Sequence, residues 1–175
     1  ITLDVTAVND DPSLNNAVLD QAATEDLAFS FTLPNDTFED VDTGAVITYS
    51  AQLSGGASLP AWLDFNASTR TFSGTPANAD VGTLTIEVIA DDSQGGTPAS
   101  DTFDIVVANS NDDPTLDQPI ANQAATEDSA FSFTFAASTF GDVDASNTLT
   151  YSAELSNGDA LPSWLNFDAD TRTFS

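Results

Sequence analysis

The sequence predicts an all-β chain built as tandem antiparallel sandwiches, and three observations carry that expectation. Apolar and polar residues alternate in short runs. Clusters of Pro, Asn, Asp and Gly separate the runs, and the whole pattern recurs at a constant offset of 102 residues. Asn9-Asp10-Asp11-Pro12 returns as Asn111-Asp112-Asp113-Pro114, Ala22–Asp26 as Ala124–Asp128, Asp40-Val41-Asp42 as Asp142-Val143-Asp144, and Thr69–Ser73 as Thr171–Ser175. Of the 64 positions in 10–73, 38 are identical in 112–175, without an insertion.

Taken in order, the elements begin with Ile1-Thr2-Leu3-Asp4-Val5, which alternates like a strand. Residues 1–8 stand before Asn-Asp-Asp-Pro as residues 103–110 do, so they are expected to be the last strand of a preceding repeat. Short strands are expected at Leu14–Val18, Trp62–Phe65 and Arg70–Ser73. Four longer ones present one apolar face each: Leu27/Phe29/Phe31/Leu33, Ile47/Tyr49/Ala51/Leu53, Leu84/Ile86/Val88/Ala90 and Phe103/Ile105/Val107. Seven short strands in about 100 residues predict an immunoglobulin-like Greek-key sandwich, here without a cysteine bridge. Residues 9–110 then form one complete repeat, and 111–175 a second that stops before its last two strands. No stretch has a helical period.

Composition narrows the chemistry. The 175 residues include 28 acidic and 2 basic ones, for a formal charge of −26, with no His, Cys or Met. Cys/His zinc sites and imidazole- or thiol-based catalysis are excluded. Nucleic acid and anionic membranes attract proteins through Lys and Arg, so neither is an expected partner, and no apolar run is long enough for membrane insertion. A hydrophobic fraction of 41%, with 12 Phe and 2 Trp, is enough to build a core. A glycosidase-like carboxylate pair needs a cleft and a carboxyl of raised pKa, but the acidic residues fall in loops. The chain is therefore expected to be non-catalytic.

The carboxylates are grouped. Asp10 and Asp11 lie in the linker, Asp40 and Asp42 flank Val41 between the second and third strand patterns, and Asp91 and Asp92 end the sixth. In an antiparallel sandwich these connections emerge at one pole, so Asp10, Asp11, Asp40, Asp42 and Asp91 are expected to converge. Two unit charges 4 Å apart repel by ~4 kcal/mol at an effective dielectric near 20. Two arginines cannot neutralise them, and Ca2+, which takes about 6–8 oxygen ligands in flexible geometry, can. Set against this, an isolated Asp-x-Asp is usually a solvated turn, and Glu25-Asp26 a charged strand edge.

The Asn-Asp-Asp-Pro linker, the Asp-Val-Asp pair, Ala90-Asp91 ahead of Gly95, and Leu59-Pro60-x-Trp62-Leu63-x-Phe65 followed by Thr71-Phe72-Ser73-Gly74-Thr75-Pro76 resemble cadherin-like repeats. The variety resembled is the dystroglycan-type cadherin-like domain, also described as a putative immunoglobulin-like domain, found in tandem arrays of large bacterial surface and secreted proteins. The resemblance implies calcium at repeat junctions. It points Glu25 and Asp80 toward the next junction, to join Asn111, Asp112, Asp113, Asp142 and Asp144. No Asp-Arg-Glu motif is present, and Asp80 stands in for it.

Trp62 and Trp164 are expected in the core rather than as sugar platforms, and Arg70 and Arg172 in structural salt bridges. The function expected is a non-catalytic, calcium-rigidified spacer or adhesion module of a large extracellular bacterial protein. Its partners are neighbouring repeats, and a polysaccharide or a cell-surface protein. The competing reading is a carbohydrate-binding or accessory module of a secreted polysaccharide-degrading enzyme.

Overall fold

A computed structural model describes residues 1–6, 8–144 and 147–175. Two compact units emerge, Ile1–Ser110 and Asn111–Ser175. Among the described residues the regular elements are strands, apart from one 3-10 turn at Asn78–Asp80. Among the described residues no helix is long and apolar enough to cross a membrane.

The first unit contains β1 (Ser13–Leu14), β2 (Gln21–Thr24), β3 (Phe29–Thr32), β4 (Phe38–Glu39), β5 (Thr48–Leu53), β6 (Leu63–Asn66), β7 (Thr71–Gly74), β8 (Gly82–Asp91) and β9 (Ala99–Ala108). One sheet runs β2-β9-β8-β5 and the facing sheet β3-β7-β6, with β1 paired to β4 at the margin. All pairings are antiparallel except β2 with β9, which is parallel from Gln21↔Ile105 to Thr24↔Ala108. Alternation does what the pattern predicts. Ile86, Val88 and Ala90 of β8 and Phe103, Ile105 and Val107 of β9 point inward and are buried. They meet Phe72 of β7, which is fully buried between Phe65 (ring centroids 4.5 Å apart) and Phe103 (5.7 Å).

Four elements depart from the expected strands, one of them β4, which no expected strand covers. The run Leu14–Val18 is a strand only at Ser13–Leu14. Beyond it the chain crosses between sheets, with the N–H groups of Asn15 and Asn16 donating to the Thr37 carbonyl and Val18 N–H to Asp101 Oδ2. Gln21–Thr24, too polar to show an apolar period, becomes β2 by pairing with β9. Leu27 is exposed rather than inward, because Asp26 (φ 60°) turns the chain and β3 starts at Phe29.

The second unit repeats the smaller sheet in register. It contains β10 (Thr115–Leu116), β11 (Phe133–Thr134), β12 (Phe140–Gly141), β13 (Phe167–Asp168) and β14 (Thr173–Phe174), paired β10-β12 and β11-β14-β13. Residues 123–126 and 150–155, the counterparts of β2 and β5, carry no strand. In the first unit those strands pair with β9 and β8. Residues 1–6 and 8 also carry no strand and are exposed, and Ala7 of that segment lies outside the described residues.

Candidate metal centre

One end of the first unit is defined by the start of β5, the end of β8 and the start of β9, since Thr48 pairs with Asp91 and Ala90 with Ala99. The linker closes onto it through backbone-to-carboxylate bonds. Asp10 N–H donates to Asp42 Oδ2 at 2.8 Å, and Asp42 N–H to Asp40 Oδ1 at 2.8 Å. Thr97 N–H donates to Asp11 Oδ2 at 3.0 Å, while a Cβ at Gly96 would lie 1.7 Å from Asp11 Oδ1, so a side chain there would displace that carboxylate. Asp91 turns instead to its own loop, accepting from Ser93 N–H at 2.7 Å. The loops meet, but the expected convergence of the five carboxylates is not seen: among the described residues no three carboxylates of this end come within 4.8 Å of one another.

The residue tying β8 to the linker is Asp92. It is buried, its Oδ2 accepts from the Asn9 amide at 2.8 Å, and its Oδ1 from Gln94 N–H at 3.0 Å. The Gln94 N–H and then the Asn9 amide hold its pKa below the ordinary carboxylate value. Sequence reasoning chose Asp91. The signal that would have found Asp92 is parity, because it continues the inward series Ile86, Val88, Ala90.

At the other end of the first unit, the Glu25 N–H donates to the Ala108 carbonyl at 3.0 Å and Glu25 Oε1 accepts from Ser110 N–H at 2.6 Å. Glu25 is fully buried, and its Oε2 has no hydrogen-bond partner among the described residues. Asp80, half-buried on the same side, accepts from Ala77 N–H at 2.9 Å and caps the 3-10 turn.

The second unit builds its own copy of the linker arrangement. Asp112 N–H donates to Asp144 Oδ2 at 2.8 Å, and Asp144 N–H to Asp142 Oδ1 at 2.9 Å. Asp144 is buried; Asn111 and Asp113 are exposed. One residue is new. Asn147, which replaces Ala45 of the first unit, directs its amide nitrogen at Asp144 Oδ2 (3.1 Å), Asn111 Oδ1 (3.2 Å) and Asp142 Oδ2 (3.4 Å). Three oxygens around one donor trace the environment a cation prefers.

The donor set fits calcium. Every group is a hard oxygen, from carboxylate or amide, and no nitrogen or sulfur ligand is within the composition. Backbone N–H bonds orient the Asp11, Asp40, Asp42 and Asp142 carboxylates. Two buried carboxylate oxygens, Glu25 Oε2 and Asp40 Oδ2, have no hydrogen-bond partner among the described residues, a condition costing about 1–3 kcal/mol per group that a cation would relieve.

The aromatic and basic candidates divide. Trp62 packs half-buried, edge-on to Phe29, whereas Trp164 is 62% exposed beside Phe131. Arg70 donates to the Asn35 amide oxygen and lies 5.6 Å over the Tyr49 ring, where a salt bridge was expected.

The sequence profile of a family described as "Putative Ig domain" matches residues 11–108 and again residues 113–175. The chain belongs to this family. Its two Ig repeats also align with axial budding pattern protein 2 of Saccharomyces cerevisiae, 31% identical over 169 residues. That alignment covers 85% of this chain and 20% of the yeast protein, so the chain spans one fifth of that relative's length. Among solved structures, extracellular cadherin domains 1–4 of protocadherin gamma B7 align at 20% identity and a TM-score of 0.49, over 85% of this chain and 39% of that one. An endo-fucoidan hydrolase of glycoside hydrolase family 107 aligns at 21% identity and a TM-score of 0.48, over 93% and 23%.

Proposed function

We propose that the chain is a non-catalytic, calcium-binding stretch of Ig repeats that stiffens an extracellular surface protein. In this reading residues 1–8 close a preceding repeat, 9–110 are one repeat and 111–175 begin the next. Glu25 carries the argument: a buried carboxylate holds the N–H of Ser110, the residue joined to Asn111, and keeps one oxygen without a hydrogen-bond partner among the described residues. Calcium there is bound by Glu25 with Asn111, Asp112, Asp142 and Asp144, while Asp10, Asp11, Asp40, Asp42 and Asp91 serve the junction before. Bound calcium offsets the mutual repulsion of the carboxylates and holds successive repeats in one orientation; its loss lets the linker bend. Extracellular modules of this sort bind at about 10⁻⁴–10⁻³ M.

Calorimetric titration of the full chain with calcium, and in parallel with magnesium, tests this. Calcium-selective binding, with a melting temperature that rises in calcium and falls in chelator, is the expected result. Absence of binding at 10-fold above the millimolar range sinks it.

A second reading has one observation in its favour. A cleft of about 610 Å³ between β5 and β6 is lined by Tyr49, Gln52, Ser58, Asp64 and Phe65, a mixture of rings and polar groups suited to a saccharide. Retention on immobilised polysaccharide in chelator, lost in Tyr49→Ala, would favour it over the spacer.

A further inference from the structure

The two sheets of the first unit end on one side in β5 and β6, the outer strands of the β2-β9-β8-β5 and β3-β7-β6 sheets. The cleft between them is lined by consecutive residues of each strand, from Tyr49 to Gln52 and from Leu63 to Phe65. Neighbouring side chains of a strand point to opposite faces, so consecutive residues mark a strand's rim. Main-chain groups therefore form the walls of the cleft.

Hydrogen-bond parity shows where those groups point. The Ser54 N–H donates to the Thr85 carbonyl at 2.9 Å, continuing the β5–β8 register in which Gln52 faces Glu87 and Ser50 faces Ile89. Antiparallel rungs alternate, so the even residues of β5 bond to β8 and the odd ones turn their N–H and C=O groups away from it. Leu53 uses its pair in the following turn, donating to the Ala57 carbonyl at 2.8 Å and accepting from the Gly56 N–H at 2.9 Å. Tyr49 and Ala51 direct theirs into the cleft. On the other wall, the Leu33 N–H donates to the Arg70 carbonyl at 2.9 Å, which gives the even residues of β7 to β3 and the odd ones to β6. The N–H and C=O of Phe65 then face the cleft as well, while the Leu63 N–H donates to the Pro60 carbonyl at 3.0 Å.

Proteins usually block an open sheet edge with a charged side chain, a proline or a bulge. β5 has none of these: it runs 6 residues in unbroken register, and its outward side chains are Thr48, Ser50 and Gln52. A strand added there turns alternate side chains toward Leu59 and Phe65, both half-buried in the cleft, and the others outward beside Gln52. The surroundings are acidic. Gln52 bonds to Glu87 at 2.9 Å, Thr48 lies opposite Asp91, and Asp64 is exposed on β6. Arg70, the one basic side chain of the first unit, is engaged with the Tyr49 ring and the Asn35 amide.

We propose that this cleft is a docking groove for an extended, basic polypeptide segment, which adds to β5 as a further strand. The main chain of Tyr49 and Ala51 supplies the rungs. Leu59 and Phe65 receive apolar side chains at every second position, and lysine or arginine between them meets the acidic rims. A row of amides at strand spacing matches the groups of Tyr49 and Ala51, and a saccharide has no such row. The formal charge of −26 draws the same partner toward the chain. This groove belongs to the first unit alone and needs no ion, so it goes beyond both the spacer and the saccharide readings.

The probe is a fluorescent heptapeptide of alternating valine and lysine, titrated into the full chain in chelator at physiological ionic strength. A peptide of the same composition with its lysines in one block controls for attraction by charge alone. The alternating peptide should bind about tenfold or more tighter, and at saturation it should slow amide hydrogen exchange at Tyr49 and Ala51. Ala51→Pro removes an N–H that makes no rung with β8, so the variant should fold and bind the alternating peptide about tenfold or more weakly. Absence of binding, equal binding of the two peptides, or unchanged exchange at both amides overturns the proposal. Undiminished affinity in folded Ala51→Pro does the same. If Ala51→Pro does not fold, exchange at Tyr49 and Ala51 in the unaltered chain decides the matter. Protection of those amides by a soluble polysaccharide and not by the peptide overturns the proposal in favour of the saccharide.

Discussion

The side-chain amide of Asn9 donates to Asp92 Oδ2 at 2.8 Å, tying the linker to the end of the longest hairpin of the fold across 83 positions of sequence. The carboxylate also accepts from Gln94 N–H, and the two bonds together lower its pKa. Asp168, in the second unit, is lowered chiefly by the Thr171 N–H.

A pH dependence follows, with its sign set by those shifts. A folded-state pKa below the unfolded value stabilises the protein above the unfolded pKa, about 3.9 for Asp. The stabilisation fades as pH falls through the folded value. Thermal melts in chelator from pH 6 to pH 2.5 should therefore show stability dropping below about pH 4. Asn9→Ala should shrink that drop, and an unchanged acid limb would refute the assignment.

Asp144→Ala removes a proposed ligand and the acceptor of the Asp112 N–H. Asp42→Ala does the same for Asp10. Each should lose the calcium response of its own site, seen as one fewer binding event in calorimetry, while the other persists. Loss of all binding in either single variant would contradict two separate sites.

Glu25→Gln keeps the size and one acceptor for Ser110 N–H but removes the charge. Calcium affinity should fall about tenfold or more, while the melting temperature in chelator changes little. A large fall in chelator would mean that Glu25 is structural instead.

Phe72→Ala opens the centre of the first unit, where the ring is fully buried against Phe31, Phe65 and Phe103. Denaturant unfolding should show a loss of ~3–5 kcal/mol.

Gly74→Ala tests a steric requirement. A Cβ there would lie 1.7 Å from the Trp62 carbonyl oxygen, which backbone movement alone can relieve. The expected cost is about 1–3 kcal/mol, read from the same unfolding curves. A neutral result would mean that β6 and β7 are looser than the geometry implies.

Much of this protein is legible along the chain because its information is local or periodic. Alternation in Leu84–Ala90 and Phe103–Val107 identifies strands and inward faces, since a strand's side chains alternate whatever they pack on. The offset of 102 residues marks the repeat, and the acidic groups on which the proposed calcium sites rest are visible in it as clusters of Asp. Tertiary structure decided what depends on partners distant in sequence. Gln21–Thr24 is a strand because β9 lies beside it, and the counterpart 123–126 is not. Asp92 rather than Asp91 meets the linker, through strand parity and an asparagine far back in the chain. Glu25, which alone reads as a charged edge, is buried on the N–H of Ser110 by the parallel register of β2 and β9. Periodicity reports the face a residue presents; only long-range pairing reports what that face meets.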